Sequence, residues 1–377
     1  MEAARARGVW TAVADRDPAA PGLSLADNRC IVSTEDEPAI ERLAAALSLD
    51  GVIAPGIDWP VAVAARVAAK LGLPHPISPA TAVLATNKLR QRERFEELGV
   101  PQPRWQVVTD GDFDLEPPYV VKAPDRQGQK GLSLVLAERD LPEAIAAAKA
   151  SSRTGAVLVE EVVDGPEVTV IGFSAGGEFV PVAVTDRITA EPPAFGVALA
   201  HVFPSAHADA AAAVARRAVE ALGIEGGPSY TQLRIGPEGP EVMEVAARLG
   251  GGHDAELVEA ALGVDLNGLA LAAALGDPPT PTQVTRSSKQ RFGGAVTRFL
   301  VSPPGVLESV TVPEGLEGVL RVRIYREPGY VFGPLRRGPD RAGALLVVGA
   351  TREEAVARAE AAAERIRFVT ADAEALV

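Results

Sequence analysis

The sequence predicts an α/β chain of two or three domains, and three observations support this. Short apolar strands alternate with amphipathic helices through the first 84 residues, which is typical of a parallel sheet covered by helices on both faces. The chain has 377 residues, more than a single hydrophobic core usually organises. Beyond residue 285, several strands come before one amphipathic helix, which predicts an α+β region at that end.

The composition excludes several classes of protein. Hydrophobic residues at 47 % and charged residues at 23 % are values of a globular chain. A net charge of −13 without a basic stripe argues against nucleic acid as a partner. The one cysteine, Cys30, excludes an internal disulfide and a cysteine metal cluster. No stretch has the apolar length of a signal peptide or a membrane span, so we expect a soluble cytoplasmic protein without membrane partners.

The elements of the first hundred residues follow from apolar spacing and from the residues that end helices. Strands are predicted over residues 9–14 and 51–54, and helices over residues 38–47, 60–71 and 81–98. Gly72 ends the second helix, and Gly99 with Pro101 ends the third. The third helix carries Lys88, which without further context is an ordinary exposed lysine.

Residues 119–136 predict a strand, a polar loop and a second strand. The first strand ends in Lys122, and a lysine there must extend its ammonium group to solvent or meet an anion. Loop 125–131 holds Gly128, Lys130 and Gly131. Backbone N–H groups and a lysine in such a loop can neutralise phosphate charge.

An acidic side chain interrupts the apolar strand around residues 242–245. Glu244 is costly to desolvate there unless a cation or hydrogen-bond donors meet it. Arg248 and three glycines, residues 250–252, follow, and glycines let backbone N–H groups approach a bound group closely. This combination suits a metal-bound, phosphorylated ligand. A buried ion pair between Glu244 and Arg248 before a turn is the alternative.

The strand before this one is expected to pair with it. Residues 226–235 and 240–245 are joined by a Gly236-Pro-Glu-Gly turn, which places Gln232 beside Glu244. The carbonyl oxygen of a glutamine can bind Mg²⁺. Residues 185–204 are expected to be irregular, with His201 as a weak catalytic candidate. A helix is predicted over residues 208–222, then strands over 292–301, 319–325 and 345–348 and a helix over 352–367.

The order of these features resembles the ATP-grasp family, whose members couple ATP cleavage to joining a carboxylate and an amine or another nucleophile. The ordered set is Lys88, Lys122, the lid loop 125–131, Glu160-Glu161, Gly165-Pro166-Glu167, the strand with Glu244, and Arg248-Leu-Gly-Gly-Gly. The segment from Glu244 to Arg248 is similar to that of amino-acid ligases that make dipeptides. The resemblance covers nearly the whole chain. It implies a pre-ATP-grasp α/β domain (1–84), an ATP-grasp domain (85–285) with a lid subdomain at about 117–170, and a C-terminal α+β domain (286–377).

The resemblance also implies ATP and Mg²⁺ as cofactors, with Mn²⁺ as an alternative metal, and a role for each site residue. The residues that would bind the nucleotide are Lys88, Lys122, Gly128, Gly131, Ser133, Glu160, Glu161, Val163 and Glu167. Glu160 would accept from the adenine amino group, backbone groups of Glu161 and Val163 would contact the base edge, and Glu167 would hold the ribose. Gln232 and Glu244 would bind the metal. Arg248 and Lys130 would be catalytic.

The implied activity is ligation of an amino-acid-like carboxylate to an amine through an acyl phosphate, with release of ADP and phosphate. A bicarbonate-phosphorylating enzyme with the same ATP residues is one alternative. A nucleotide-binding protein without catalysis is another, because Gln232 and Ala246 stand where the family usually has an acidic residue and an asparagine. A homodimer is left open.

The beginning of the chain departs from the family pattern in one respect. Family members start with a strand and a glycine-rich turn, but here Met1 falls inside the helix that should follow them. A central parallel strand cannot be missing without exposing unpaired backbone groups. We therefore expect that another element replaces this strand or that the true start lies upstream.

Overall fold

The structure is a computed structural model that describes residues 1–108, 114–286 and 290–371. The N-terminal region contains α1 (Glu2–Ala6), β1 (Ala12–Asp15), β2 (Asn28–Ile31), α2 (Glu37–Ala46) and α3 (Asp58–Leu71). Strands β1 and β2 are parallel. Ile40, Val63 and Val67 on the two longer helices form the buried core of this region. Helices α4 (Pro79–Ala85) and α5 (Lys88–Glu97) follow.

Three expectations for this region need correction. The predicted helix over residues 81–98 is two helices, because the Asn87 side chain accepts hydrogen bonds from the Leu89 and Arg90 N–H groups and starts α5 anew. The predicted strand over residues 51–54 is not formed; the segment has no regular secondary structure, and a Cβ on Gly51 would lie 2.4 Å from the Ala274 carbonyl oxygen. The predicted strand over residues 9–14 is shorter than expected and is limited to β1, Ala12–Asp15. The end of α3 is confirmed, with Gly72 left-handed at φ 67°.

The next strands form a small antiparallel sheet, which we term the lid sheet. Its elements are β3 (Trp105–Val107), β4 (Tyr119–Lys122), β5 (Leu132–Val135), α6 (Leu141–Ser151) and β6 (Leu158–Glu161). Among the described residues the strand order is β3-β6-β4-β5, all neighbours antiparallel. Tyr119, Val121 and Val159 pack against Ala148 of α6 to form its core. The lid loop, residues 125–131, joins β4 to β5.

Most of the remaining predicted site residues lie on a longer run of strands and helices. These are β7 (Glu167–Ala175), β8 (Glu178–Thr189), β9 (Ala198–Phe203), α7 (Ala208–Ala221), β10 (Gly227–Gly236), β11 (Gly239–Ala246), α8 (Asp254–Leu262), α9 (Leu266–Ala274) and α10 (Pro281–Arg286). Ala211 and Ala215 of α7 share one core with Leu233 and Val242 of the strands. Helices α8 and α9 share another core with Ile171 and other side chains of the strands.

The C-terminal strands extend the same sheet. They are β12 (Gly294–Leu300), β13 (Gly305–Thr311), β14 (Val319–Ile324), β15 (Val331–Phe332) and β16 (Gly343–Gly349), followed by α11 (Arg352–Arg365) and β17 (Arg367–Ala371). Within the described ranges the large sheet has the order β11-β10-β7-β8-β9-β12-β16-β14, and β15-β13-β17 form a separate sheet. Because the large sheet continues across residue 286, the predicted domain division there stays a prediction. The mixed helix and sheet class is confirmed.

The stretch over residues 185–204 is more regular than expected. It contains the end of β8 and all of β9, which pair with Arg187 opposite His201. The tandem prolines Pro192 and Pro193 are confined to the connection between these strands. The sequence was misread because residues at both strand ends were assigned to the proline-containing loop.

Among the described residues, no single helix is long and apolar enough to cross a membrane. Only α8 and α9 taken together reach that length and composition, and they bend by 118° at their junction. Both carry buried side chains, such as Leu257 and Ala270, that pack in the core.

Candidate active site

A cleft with about 1010 Å³ of open space, part of it in contact with solvent, lies between the lid sheet and the large sheet. Most of the predicted site residues line it: Lys88, Lys122, Gly128, Lys130, Glu160, Glu161, Val163, Glu167, Gln232, Glu244 and Arg248. Two predicted residues are not among the described residues that line it. A Cβ on Gly131 would lie 2.8 Å from the Ser151 Cβ and 3.0 Å from the Ala123 Cβ, and Ser133 pairs with Val121 inside the lid sheet.

The predicted pairing of the two metal-ligand candidates is confirmed. Strands β10 and β11 are antiparallel, and Gln232 lies directly opposite Glu244. Lys88, at the start of α5, places Nζ 3.2 Å from Glu244 Oε1 and donates to the Arg126 carbonyl at 2.9 Å. The ammonium group, the carboxylate and the amide therefore meet on one wall of the cleft.

Lys122 and Glu160 form a buried ion pair on neighbouring strands of the lid sheet. Lys122 Nζ lies 2.5 Å from Glu160 Oε2, and the two residues are 8 % and 1 % exposed. Burial lowers the pKa of Lys122 despite its carboxylate partner. For Glu160, burial opposes the charged form, but nearby Arg92 and Lys122 outweigh it and its pKa is lowered. Both groups therefore depend on charged partners inside the protein.

Arg92 is a site residue that the sequence interpretation missed. Its Nε donates to Glu160 Oε1 at 2.7 Å, and its other nitrogens donate to the carbonyls of Val242 and Met243 at 2.9 and 2.8 Å. Arg92 thus ties the lid sheet to β11. Arg92 comes four residues after Lys88, so both side chains lie on one face of the predicted helix, and this spacing could have indicated that Arg92 also faces the site.

Glu167 is bound by two arginines that were also missed. Arg187 on β8 forms a short ion pair with its Oε1, and Arg234 Nε lies 3.9 Å from its Oε2. Arg187 also donates to the Gly196 carbonyl at 2.7 Å. No sequence pattern pointed to Arg187, because it lies in a stretch that was interpreted as irregular.

Two backbone groups at the end of β6 are already used within the protein. The Glu161 N–H donates to the Arg104 carbonyl at 3.0 Å, and the Val163 carbonyl accepts from Arg234 at 2.8 Å. The Glu161 carboxylate lies 2.9 Å from exposed Arg104. Any contact to a base edge would therefore fall to the Glu161 carbonyl and the Val163 N–H.

Arg248 and the glycine loop, residues 250–252, have partners that were not predicted. Arg248 pairs with Asp58 of α3, with Nε 2.5 Å from Oδ1, so the alternative ion pair between Arg248 and Glu244 is not formed. The Gly252 N–H donates to Asp254 Oδ2 at 3.1 Å. This leaves the Gly250 and Gly251 amides, rather than all three, as candidates to contact a bound ligand, and none of the three glycines is among the described residues that line the cleft.

Besides the Arg126 carbonyl, which accepts from Lys88, the lid loop contacts the rest of the chain through Gln129. This residue is left-handed at φ 61°, an uncommon conformation for a residue with a side chain. Its side chain donates to the Gly196 carbonyl and accepts from the Gly338 N–H, both at 3.3 Å. The lid loop therefore contacts both the β8–β9 connection and the C-terminal region.

Comparisons with known proteins bear on the family and the fold. Residues 298–371 match the family model described as L-amino acid ligase C-terminal domain 2. A D-alanine–D-alanine ligase of Synechococcus sp. (strain JA-2-3B'a(2-13)) is 29 % identical over 52 % of this chain and 61 % of that enzyme. The crystal structure of an L-amino acid ligase from Bacillus licheniformis superimposes with a TM-score of 0.85 at 22 % identity, covering 98 % of this chain and 95 % of that chain. This chain has the ATP-grasp fold.

A second ATP-grasp structure bears on the cofactors. The biotin carboxylase domain of Hydrogenobacter thermophilus 2-oxoglutarate carboxylase, in complex with MgADP and bicarbonate, superimposes with a TM-score of 0.76 at 18 % identity over 98 % of this chain and 87 % of that chain. Together the comparisons confirm the predicted fold and the resemblance to ATP-grasp ligases.

The candidate metal residues of this chain fit a magnesium ion that is bound partly by the protein and partly by phosphate oxygens. Glu244 supplies a carboxylate, and Gln232 donates through Nε2 to Tyr230 Oη at 3.4 Å, which leaves its carbonyl oxygen for a cation. Hard oxygen donors of this kind suit Mg²⁺, which usually binds few protein ligands. In the part of the chain that the structure describes, no group of three or more His, Cys, Asp and Glu side chains is placed to hold a metal.

Gln232→Glu should lower the Mg²⁺ concentration needed for half-maximal ADP release. Two carboxylates in register repel each other, and a bound cation relieves this repulsion. We expect a shift of roughly tenfold, the scale of one charge-assisted contact. The measurement is ADP release against free Mg²⁺. Gln232→Met, which removes the oxygen donor, is the control and should shift the curve the other way. Identical curves for all three proteins would exclude Gln232 as a ligand.

His201 packs against Gly252 of the glycine loop and is not among the described residues that line the cleft. It is 1 % exposed, and its Nδ1 lies 3.3 Å from Asp254 Oδ1. Burial, partly opposed by Asp254, lowers the pKa of its imidazole. A Cβ on Gly252 would lie 2.6 Å from His201 Nε2, so glycine is needed there for packing. The catalytic role of His201 stays a prediction.

Proposed function

We propose that this chain is an ATP-dependent ligase that joins a carboxylate to an amine. One observation carries the proposal: residues predicted from separate motifs line a single cleft. They are the lysines Lys88, Lys122 and Lys130, the opposed pair Gln232 and Glu244, and Arg248. A cleft with this charge distribution suits a polyphosphate bound with a divalent cation.

In this proposal ATP lies between the two sheets. Lys88, Lys122 and Lys130 neutralise its phosphates, and Glu167, held by Arg187, accepts from the ribose hydroxyls. The Glu161 carbonyl and the Val163 N–H contact the base edge. Both oxygens of Glu160 already meet cations, so its contact with the adenine amino group would add to those ion pairs. Mg²⁺, held by Gln232 and Glu244, would supply further charge neutralisation at the phosphates.

The reaction takes place in two displacements. A substrate carboxylate oxygen attacks the γ-phosphorus, and the bond from that phosphorus to the ADP oxygen breaks, which gives an acyl phosphate. An amine nitrogen then attacks the acyl carbon, the bond to phosphate breaks, and the nitrogen loses a proton. Positioning and charge stabilisation are the main demands on the protein. Arg248 and the Gly250 and Gly251 amides would stabilise the acyl phosphate and the tetrahedral species.

A binding protein without catalysis is the second candidate, because Gln232 is a neutral metal ligand. A panel of amino acids, tested with and without bicarbonate, separates the candidates by Mg²⁺-dependent ADP release. The ligase predicts ADP release that requires amino acids and is matched by an equal amount of condensed product. Release that requires bicarbonate would favour a carboxylase-like reaction. ATP binding without ADP release under any condition would favour the binding protein. We expect amino-acid-dependent release, and Mn²⁺ should also support it.

Gln129→Asn should uncouple ATP cleavage from ligation. Asparagine tolerates the left-handed backbone, but its shorter side chain no longer reaches both Gly196 and Gly338. Each lost hydrogen bond contributes about 0.5–1.5 kcal/mol, so closed lids should become roughly tenfold less populated. More water would then reach the acyl phosphate. The measurement is ADP released per ligated product, and an unchanged ratio would show that these contacts do not hold the lid.

A further inference from the structure

Asp58 is a buried carboxylate to which neither the sequence motifs nor the comparisons give a role. It is the first residue of α3, in the N-terminal region, and it lies 190 positions from Arg248 in the sequence. Asp58 is 5 % exposed and still contributes to the wall of the cleft. A buried carboxylate is costly to desolvate unless a cation compensates it. Its partner in the structure is Arg248.

Two edges of the Arg248 guanidinium are fixed by the protein. Nε lies 2.5 Å from Asp58 Oδ1, and Nη1 donates to the Leu249 carbonyl at 2.8 Å. The guanidinium carbon lies 5.7 Å from the centre of the Tyr230 ring. Because a guanidinium is a rigid planar fork, fixing Nε and Nη1 also fixes the direction of the Nη2 donors. Arg248 lines the cleft, so these are the donors left for a ligand.

We propose that Asp58 is a positioning residue, which holds Arg248 in the orientation that stabilises the acyl phosphate. The inference rests on the proposed ligase function. Asp58 acts through Arg248, and its charge also reduces the attraction of Arg248 for anions. The pair therefore weakens ground-state binding of the substrate, but it fixes the direction of the Arg248 donors. Such an exchange is useful only if the contact matters in the transition state.

The proposal predicts a particular kinetic pattern for Asp58→Asn. The asparagine removes a negative charge beside Arg248, so KM for the carboxylate substrate should not rise. The asparagine holds Nε less tightly, so the guanidinium becomes less well aligned and kcat should fall about 10- to 100-fold. ATP affinity should stay within about twofold, since no phosphate contact is assigned to Asp58.

The test is a double-mutant cycle on the full chain, with Asp58→Asn, Arg248→Met and both together. If Asp58 acts through Arg248, adding Asp58→Asn to Arg248→Met should lower kcat by less than about twofold. Glu37→Gln is the matched control, because Glu37 in the same region accepts from Arg66 Nε at 2.6 Å but lies away from the cleft. It should leave kcat unchanged.

Two results would overturn the inference while leaving the ligase function intact. One is an active wild type with an Asp58→Asn variant that has unchanged kcat. The other is multiplicative losses of kcat in the double variant, which would mean that Asp58 contacts substrate or stabilises the fold independently of Arg248. A wild type that releases no ADP would overturn the proposed function itself. Calorimetric melting of each variant identifies any loss of activity that is caused by unfolding.

Discussion

Glu244→Gln should abolish Mg²⁺-dependent ADP release without unfolding the chain. The substitution keeps the size of the side chain but leaves two neutral amides, at positions 232 and 244, in the candidate metal site. The site would lose its carboxylate, and Lys88 would lose the partner 3.2 Å from its ammonium group. Removing one donor that stabilises transition-state charge typically costs about 100- to 1000-fold in rate, and we expect a loss of this order here. The measurement is single-turnover ADP release at saturating ATP and Mg²⁺.

The matched control is Glu241→Gln on the same strand. Glu241 is not among the described residues that line the cleft, and burial raises the pKa of its carboxyl group. Its neutral replacement should release ADP at the wild-type rate. Thermal melting should show that Glu244→Gln stays folded. If Glu244→Gln keeps full ligase activity, the assignment of Gln232 and Glu244 as metal ligands is wrong, although their pairing in the sheet would remain.

The pairing of Gln232 with Glu244 could be predicted because it is local. A four-residue turn joins the two strands and sets their register next to the turn. A β-bulge between Gln232 and Leu233, which the turn does not encode, then shifts the register by one residue and brings Gln232 opposite Glu244. The position of Lys122 at the end of a strand was predictable for the same reason. Each depends on spacing within one motif, and spacing within a motif is visible in the sequence.

The partners of the site residues could not be predicted in this way. Arg248 and Asp58 are 190 residues apart, and Arg92 and Glu160 are 68 apart. Such contacts depend on how the N-terminal region, the lid sheet and the large sheet pack together, which no local pattern encodes. The error over Gly252 has a different origin, because its N–H donates to a side chain only two residues further along, that of Asp254, and this local partner was overlooked.

These partners change what a mutation at the site means. Glu160 accepts from both Arg92 and Lys122, so removing one cation leaves the buried carboxylate with the other. A loss of function at Lys122 therefore has two components, a lost contact with ATP and a weakened fold. Any test of the nucleotide site has to separate them.

Lys122→Ala should weaken ATP binding by about 10- to 100-fold, because a charge-assisted contact to phosphate is worth about 1.5–3 kcal/mol. Lys122→Met should have the same effect with less disturbance of packing, since the side chain keeps its volume. The measurement is calorimetric titration with a non-hydrolysable ATP analogue. Both variants should also be less stable, because Glu160 is 1 % exposed and loses one of its two cations.

The double variant Lys122→Met with Glu160→Gln separates the two components. The neutral amide no longer needs two cations, so the free energy of unfolding should recover part of its loss. ATP affinity should stay low, because in the proposed site Lys122 contacts the phosphate. If affinity recovers together with stability, Lys122 supports the fold and does not contact ATP. Unchanged ATP affinity in Lys122→Ala and in Lys122→Met would likewise remove Lys122 from the nucleotide site. The resemblance to the ATP-grasp family would then lose one of its ordered motifs.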